Sequence, residues 1–138
     1  MTTHIDFISA GTALQWTGRL ISGLVVLFLL FDATIKLLNL EMVRRSYVEL
    51  GYPPGVGLAI GLIVLACAVL YAFPRTAVLG AVLITALCGG AIASQLRIGS
   101  PLFSHVLFGV YVAALAWGGL WMRSESVRSM LPVIHAGT

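Results

Sequence analysis

Asp32 and Lys36 stand four residues apart in a stretch that is otherwise apolar or small from Leu24 to Leu38. On a helix that spacing is one turn, with the acid nearer the N-terminus, so the two side chains can pair on one face. An ionisable group inside a hydrocarbon-length segment costs at least about 2.5 kcal/mol, so it faces a bundle interior, finds a partner or marks a function. The chemistry open to the pair is proton transfer, with Asp32 as the acid and Lys36, Gln95 or His105 orienting a substrate or stabilising charge. The bland alternative is that the pair only holds its helix while Lys36 snorkels toward the surface. His105 has no second histidine four residues away, so neither a metal nor a haem or other cofactor is expected.

Positioning these groups is a task for membrane helices. The 138 residues are 59% hydrophobic and 9% charged, with a mean hydropathy of +1.03. That leaves too little polar surface to clothe a soluble fold of this size. In a bilayer a run of about 20 apolar residues satisfies its own backbone only as a helix crossing roughly 30 Å. The sequence therefore predicts an all-α integral membrane four-helix bundle forming a single domain over residues 1–138, with spans at about 14–38, 57–73, 77–96 and 102–122. Nothing at the N-terminus reads as a removable signal, because the apolar run continues far beyond signal-peptide length, so the first span is expected to be retained.

Between the first two spans, residues 40–50 read as a short interfacial helix. Leu40, Val43, Tyr47 and Leu50 recur at helical spacing, while Glu41, Arg45 and Glu49 stack on another side. Gly51 suits the left-handed residue that ends this helix, and Pro53-Pro54 prevents its continuation. Pro74-Arg75 leaves only a tight turn between the second and third spans, so they form an antiparallel hairpin. Gly99-Ser100-Pro101 marks the last turn.

Four antiparallel spans bring the end of the first, the surface helix, the end of the third and the start of the fourth to one side. That side collects Asp32, Lys36, Tyr47, Glu49, Gln95 and Arg97 as expected pocket residues, along with Arg44, Arg45, Ser104 and His105. The other side has Arg19, Arg75, Arg123, Arg128 and the belt of Trp16, Trp117 and Trp121. Cys67 and Cys88 lie at unequal depths from the hairpin turn, about 10 and about 20 Å at 1.5 Å per residue, so they are expected free and buried. Small residues at intervals of four, including Gly57 and Gly61 or Ala114 and Gly118, offer close helix contacts within one protomer or between copies. The basic residues sit singly or in one pair at helix ends, which suits lipid headgroups as partners and not nucleic acid.

The chain resembles the DoxX-like family of small four-span bacterial membrane proteins over nearly its whole length. The resemblance is carried by the stretches Phe31-Asp32-Ala33-Thr34-Ile35-Lys36-Leu37, Leu50-Gly51-Tyr52-Pro53, Pro74-Arg75-Thr76-Ala77-Val78-Leu79-Gly80-Ala81, Gly89-Gly90-Ala91-Ile92-Ala93, Arg97-Ile98-Gly99-Ser100-Pro101-Leu102-Phe103-Ser104-His105 and Trp117-Gly118-Gly119-Leu120-Trp121-Met122-Arg123. Related sequences often carry a histidine at the position of Gln95. The resemblance implies a bacterial cytoplasmic membrane protein with both termini in the cytoplasm. It also implies a role beside a membrane or oxidoreductase partner in sulfur-compound or quinone-linked redox metabolism, or in assembly. Positive charge does not choose the orientation, because Arg19, Arg75, Arg123 and Arg128 balance Lys36, Arg44, Arg45 and Arg97. Two functional expectations follow: an accessory or scaffolding subunit with a small lipophilic pocket, or an intramembrane isomerase, cyclase or epoxide-opening enzyme acting on an apolar small molecule. Transport is a weaker third, since no span is broken midway.

Overall fold

The computed structural model describes residues 2–131, and all their regular structure is helical. The helices are α1 (Thr2–Leu37), α2 (Glu41–Glu49), α3 (Val56–Ala72), α4 (Ala77–Arg97), α5 (Phe108–Arg123) and α6 (Glu125–Met130), with a π-helical turn at Leu102–Val106 leading into α5. Three segments are long and apolar enough to cross a membrane: Gly11–Leu37, Ala77–Arg97 and Leu102–Arg123. The fourth apolar helix, α3, has 17 residues, about 26 Å at 1.5 Å per residue. The chain termini, on which an orientation would be read, lie outside the described residues.

Two local departures from the sequence expectation concern helix ends. Helix α1 extends back to Thr2, ahead of its apolar segment Gly11–Leu37, which lies close to the expected span at about 14–38, since nothing in its lead is a proline that would break it. The last long helix begins at Leu102 as expected but opens with one wide turn, in which Leu107 N–H bonds Leu102 C=O at 2.9 Å.

Helix α1 packs on α3 and α5, α3 on α4, and α4 on α5, closing a ring of four. The interior of this ring is small: Ala33, Ala68, Ala81 and Ala116 are almost wholly buried, together with Val64, Cys67 and Ile84. The exterior is large and apolar, with Leu20, Leu24, Leu27 and Phe31 each about two-thirds exposed along α1. Water would penalise such a surface, whereas acyl chains do not, and small residues facing inward are how helices gain dispersion contacts when the solvent is oil. Cys67 and Cys88 are free and buried, as expected.

One end of the bundle is closed by a polar knot. The buried Tyr71 hydroxyl donates to Ala116 C=O at 2.7 Å, which spends its only proton. The Ser22 hydroxyl, 3.0 Å away, is therefore the donor to the Tyr71 oxygen. Arg123 donates to Tyr71 C=O at 2.9 Å, and its guanidinium lies 5.0 Å from the centre of the Tyr71 ring. Close backbone approach surrounds this knot. A Cβ on Gly80 would run into the backbone of Tyr71, and one on Gly119 would meet Ser22 Oγ at 2.8 Å. At this same end Arg19 lies over exposed Trp16, and Trp121 donates to Leu131 C=O at 2.9 Å. Trp117 bridges α5 to α4 on the exposed side of the bundle, donating to Thr85 Oγ1 at 2.7 Å.

Candidate functional site

The opposite end of the bundle is not filled. A cavity of about 570 Å³ opens there, walled by α1, α3 and α4 and covered by α2 and Tyr52. Each wall follows from local chemistry. Helix α1 brings Asp32 and Lys36 to the cavity because their spacing puts both on one face, and they form an ion pair with side chains 26% and 14% exposed. The stem of Lys36 lies against Gly61 of α3, where a Cβ would approach it to 3.0 Å. The small residue thus lets the charged helix sit close to its neighbour.

Helix α2 has no fully buried residue, but its apolar side lies over the cavity through Met42, Val43 and Leu50. Tyr47 comes from the same helix, and its ring lies in van der Waals reach of Gly57 at the start of α3. Burial, together with the nearby Asp32 charge and Tyr52, pushes the Tyr47 phenol up to about 12. It therefore remains protonated and able to donate across the physiological range.

The cover is fastened by matching helix ends. Gly51 and Gly99 both adopt positive φ, at 82° and 70°, which costs glycine nothing. Each is followed by a residue whose N–H reaches back five positions, Tyr52 to Tyr47 C=O at 2.8 Å and Ser100 to Gln95 C=O at 3.1 Å. These caps bring in two hydroxyls. Tyr52 meets Ser94 Oγ at 2.7 Å, and because Ser94 donates to Gly90 C=O, Tyr52 is the donor of that pair. Ser100 donates to Gln95 Oε1 at 2.6 Å, which leaves the Gln95 amide nitrogen without an acceptor among the described residues. Arg97 does not line the cavity. It donates to Leu50 C=O at 2.8 Å and lies where a Gly51 Cβ would be, so it clamps the turn after α2 onto the end of α4.

Of the residues singled out in the sequence, Asp32, Lys36, Tyr47 and Gln95 line one cavity. Glu49 faces a shallow outer groove with Glu41, Arg44 and Arg45. His105 sits in the π-helical turn, exposed, with its Nδ1 2.7 Å from Ser104 Oγ and away from the cavity lining. Three hydroxyl-bearing lining residues escaped the sequence reading, Ser46, Tyr52 and Ser94, and Tyr52 and Ser94 bond each other. The signal for the latter two was positional: Tyr52 directly follows the capping Gly51, and Ser94 precedes Gln95 on the last turns of an apolar helix. The Ser22–Tyr71 pair was also missed, because a tyrosine near a span end reads as an interface anchor. Among the described residues, no group of three or more His, Cys, Asp or Glu side chains is gathered to hold a metal ion.

An apolar-walled recess with a few convergent polar groups is the usual form of a small-molecule site. Its lining here combines a neutralised ion pair with an amide and two phenols. Such a set can orient a neutral ligand, and it places a carboxylate beside proton donors.

The DoxX-like family model matches residues 20–119, so the chain belongs to the DoxX-like family and, with its three long apolar helices, is a membrane protein. The matched region contains the whole cavity lining. No curated protein and no solved structure matches the chain significantly.

Proposed function

We propose that this protein is a four-span member of its family that holds a small lipophilic molecule inside the bundle and acts as an accessory or scaffolding subunit beside a membrane partner. In this reading α3 is the fourth span, its 17 residues suiting a bilayer that thins locally or meets the headgroups at Gly55 and Phe73. Helix α2 lies at the membrane surface, with its Glu41–Arg45 pair outward and its apolar side over the cavity.

The observation that carries this reading is the cavity itself. A bundle whose only task was to hold its helices together would fill this end as it fills the Tyr71 end, because a void forfeits contacts. Purification in mild detergent followed by native mass spectrometry tests the reading. The expected result is a bound lipophile at one per chain that is lost when Gly90 and Ala91 are enlarged to Leu. Recovery of ligand-free protein from native membranes, with no stoichiometric partner, contradicts it.

A second reading draws on Asp32 lining the same cavity as Lys36, Tyr47 and Gln95. An intramembrane isomerase, cyclase or epoxide-opening enzyme needs only proton transfer, for which Asp32 is the acid-base residue and the others position the substrate. Asp32→Asn in a folded protein abolishes turnover under this reading. Undiminished turnover of a substrate found in the cavity rules Asp32 out.

A further inference from the structure

We infer that the cavity selects a neutral lipophile headed by an acceptor oxygen, a ketone-type carbonyl, in preference to an amine or a plain hydrocarbon. The inference rests on the pocket reading above and adds the chemistry of the ligand's polar end.

The protons facing the recess divide into spent and unspent. Several hydroxyl protons there are already committed: Ser46 donates to Met42 C=O at 3.0 Å, Ser94 to Gly90 C=O at 2.9 Å, and Tyr52 to Ser94. Three other groups keep protons unspent. The Lys36 ammonium gives one hydrogen bond, to Asp32 Oδ2, and retains two N–H groups. The Gln95 amide has its oxygen filled by Ser100 and both N–H groups unused, and the Tyr47 hydroxyl has no partner among the described residues. Against these the strong acceptor left over is the second carboxylate oxygen of Asp32.

Donors therefore outnumber strong acceptors, and the ion pair cancels its own charge. A carbonyl oxygen, with two lone pairs and no proton, engages two of the donors at once. A hydrocarbon of the same shape covers donors that are open in the empty cavity and gives them no acceptor in exchange, which costs binding. An amine brings more protons to a site already rich in them and, when charged, is repelled by Lys36. A carboxylate would set a second negative charge beside Asp32 that the single Lys36 cannot neutralise.

The test uses the full chain in nanodiscs and a matched set of probes: decalone, decalin and decalylamine. Binding is measured by equilibrium dialysis with empty nanodiscs subtracted. Decalone is expected to bind at least about tenfold more tightly than either of the others, the effect of one or two good hydrogen bonds. Gln95→Leu and Tyr47→Phe should each shrink the ratio of decalone to decalin binding several-fold, weakening decalone while decalin binds as well or better, whereas a merely structural loss would weaken both. Equal binding of decalone and decalin, or tightest binding of the amine, overturns the acceptor inference while the pocket reading stands. Failure of all three to bind a folded protein overturns both.

Discussion

At the Tyr71 end of the bundle, α1, α3 and α5 are joined through one hydroxyl and one guanidinium, and glycines let the backbones almost touch. At the Asp32 end, α1, α3 and α4 leave a cavity between them, and the polar groups there keep unused valences. Both ends contain ionic or hydroxyl side chains in an apolar chain. The difference is satisfaction: the first end spends its hydrogen bonds on itself, and the second holds some of them in reserve. Among the described residues no unpaired side-chain donor is buried, so the unused donors at the Asp32 end cost the empty fold little and stay available to a ligand.

The sharpest way to break this contrast is to add bulk at equivalent-looking glycines of α4. Gly80→Val drives a side chain into the Tyr71 backbone and should cost about 3 kcal/mol. Gly90→Ala meets no atom within 4 Å and should leave the thermal midpoint unchanged or slightly raised while reducing the cavity. Thermal unfolding in detergent, followed by tryptophan fluorescence, checks both. Equal losses would mean that the two ends are packed alike.

Removing one member of the ion pair comes next. Lys36→Met leaves a carboxylate without its partner and should destabilise by about 2 kcal/mol, whereas Lys36→Met combined with Asp32→Asn should recover most of that loss. The same unfolding assay reads the cycle, and an additive result would show that the pair is not coupled.

The two tyrosines then offer a matched comparison. Tyr71→Phe deprives Ser22 of its acceptor and Ala116 C=O of its donor, costing about 1–2 kcal/mol. Tyr47→Phe removes a hydroxyl with no partner among the described residues and should change stability by less than about 0.5 kcal/mol, its effect appearing in ligand affinity instead.

The smallest effect is one of pH. Below about pH 10 the Tyr47 phenol is neutral in both folded and unfolded chains. Between there and its raised value of about 12, the unfolded chain ionises first, so stability falls as pH rises through that window. Ultraviolet titration should show a late phenolate step that disappears in Tyr47→Phe. A Tyr47 step at the ordinary tyrosine pH would mean that its ring is not buried against the start of α3.

Much of this was legible in the sequence. Helices, turns and the shared side of Asp32, Lys36, Tyr47 and Gln95 follow from apolar run length, from Pro74 and Gly99, and from antiparallel topology. The clamp made by Arg97 was not legible, because an arginine at a span end has headgroups as its default partner, and only the position of Gly51 in space gives it Leu50 C=O. His105 reads like a site residue by depth alone. The wide turn at Leu102–Val106 carries it out to Ser104, and backbone geometry of that kind leaves no pattern in residue types. The Tyr71 knot was hidden for a related reason, since its partners are a serine and a backbone carbonyl from two distant helices.

Photolabelling with a diazirine-bearing cyclic ketone, in the presence and absence of excess unlabelled ketone, tests the central claim most directly. The account predicts competed cross-links confined to the cavity lining around Lys36, Tyr47, Leu87 and Ala91. Label spread over the outward-facing Leu20, Leu24 and Leu27 and insensitive to competitor would contradict it.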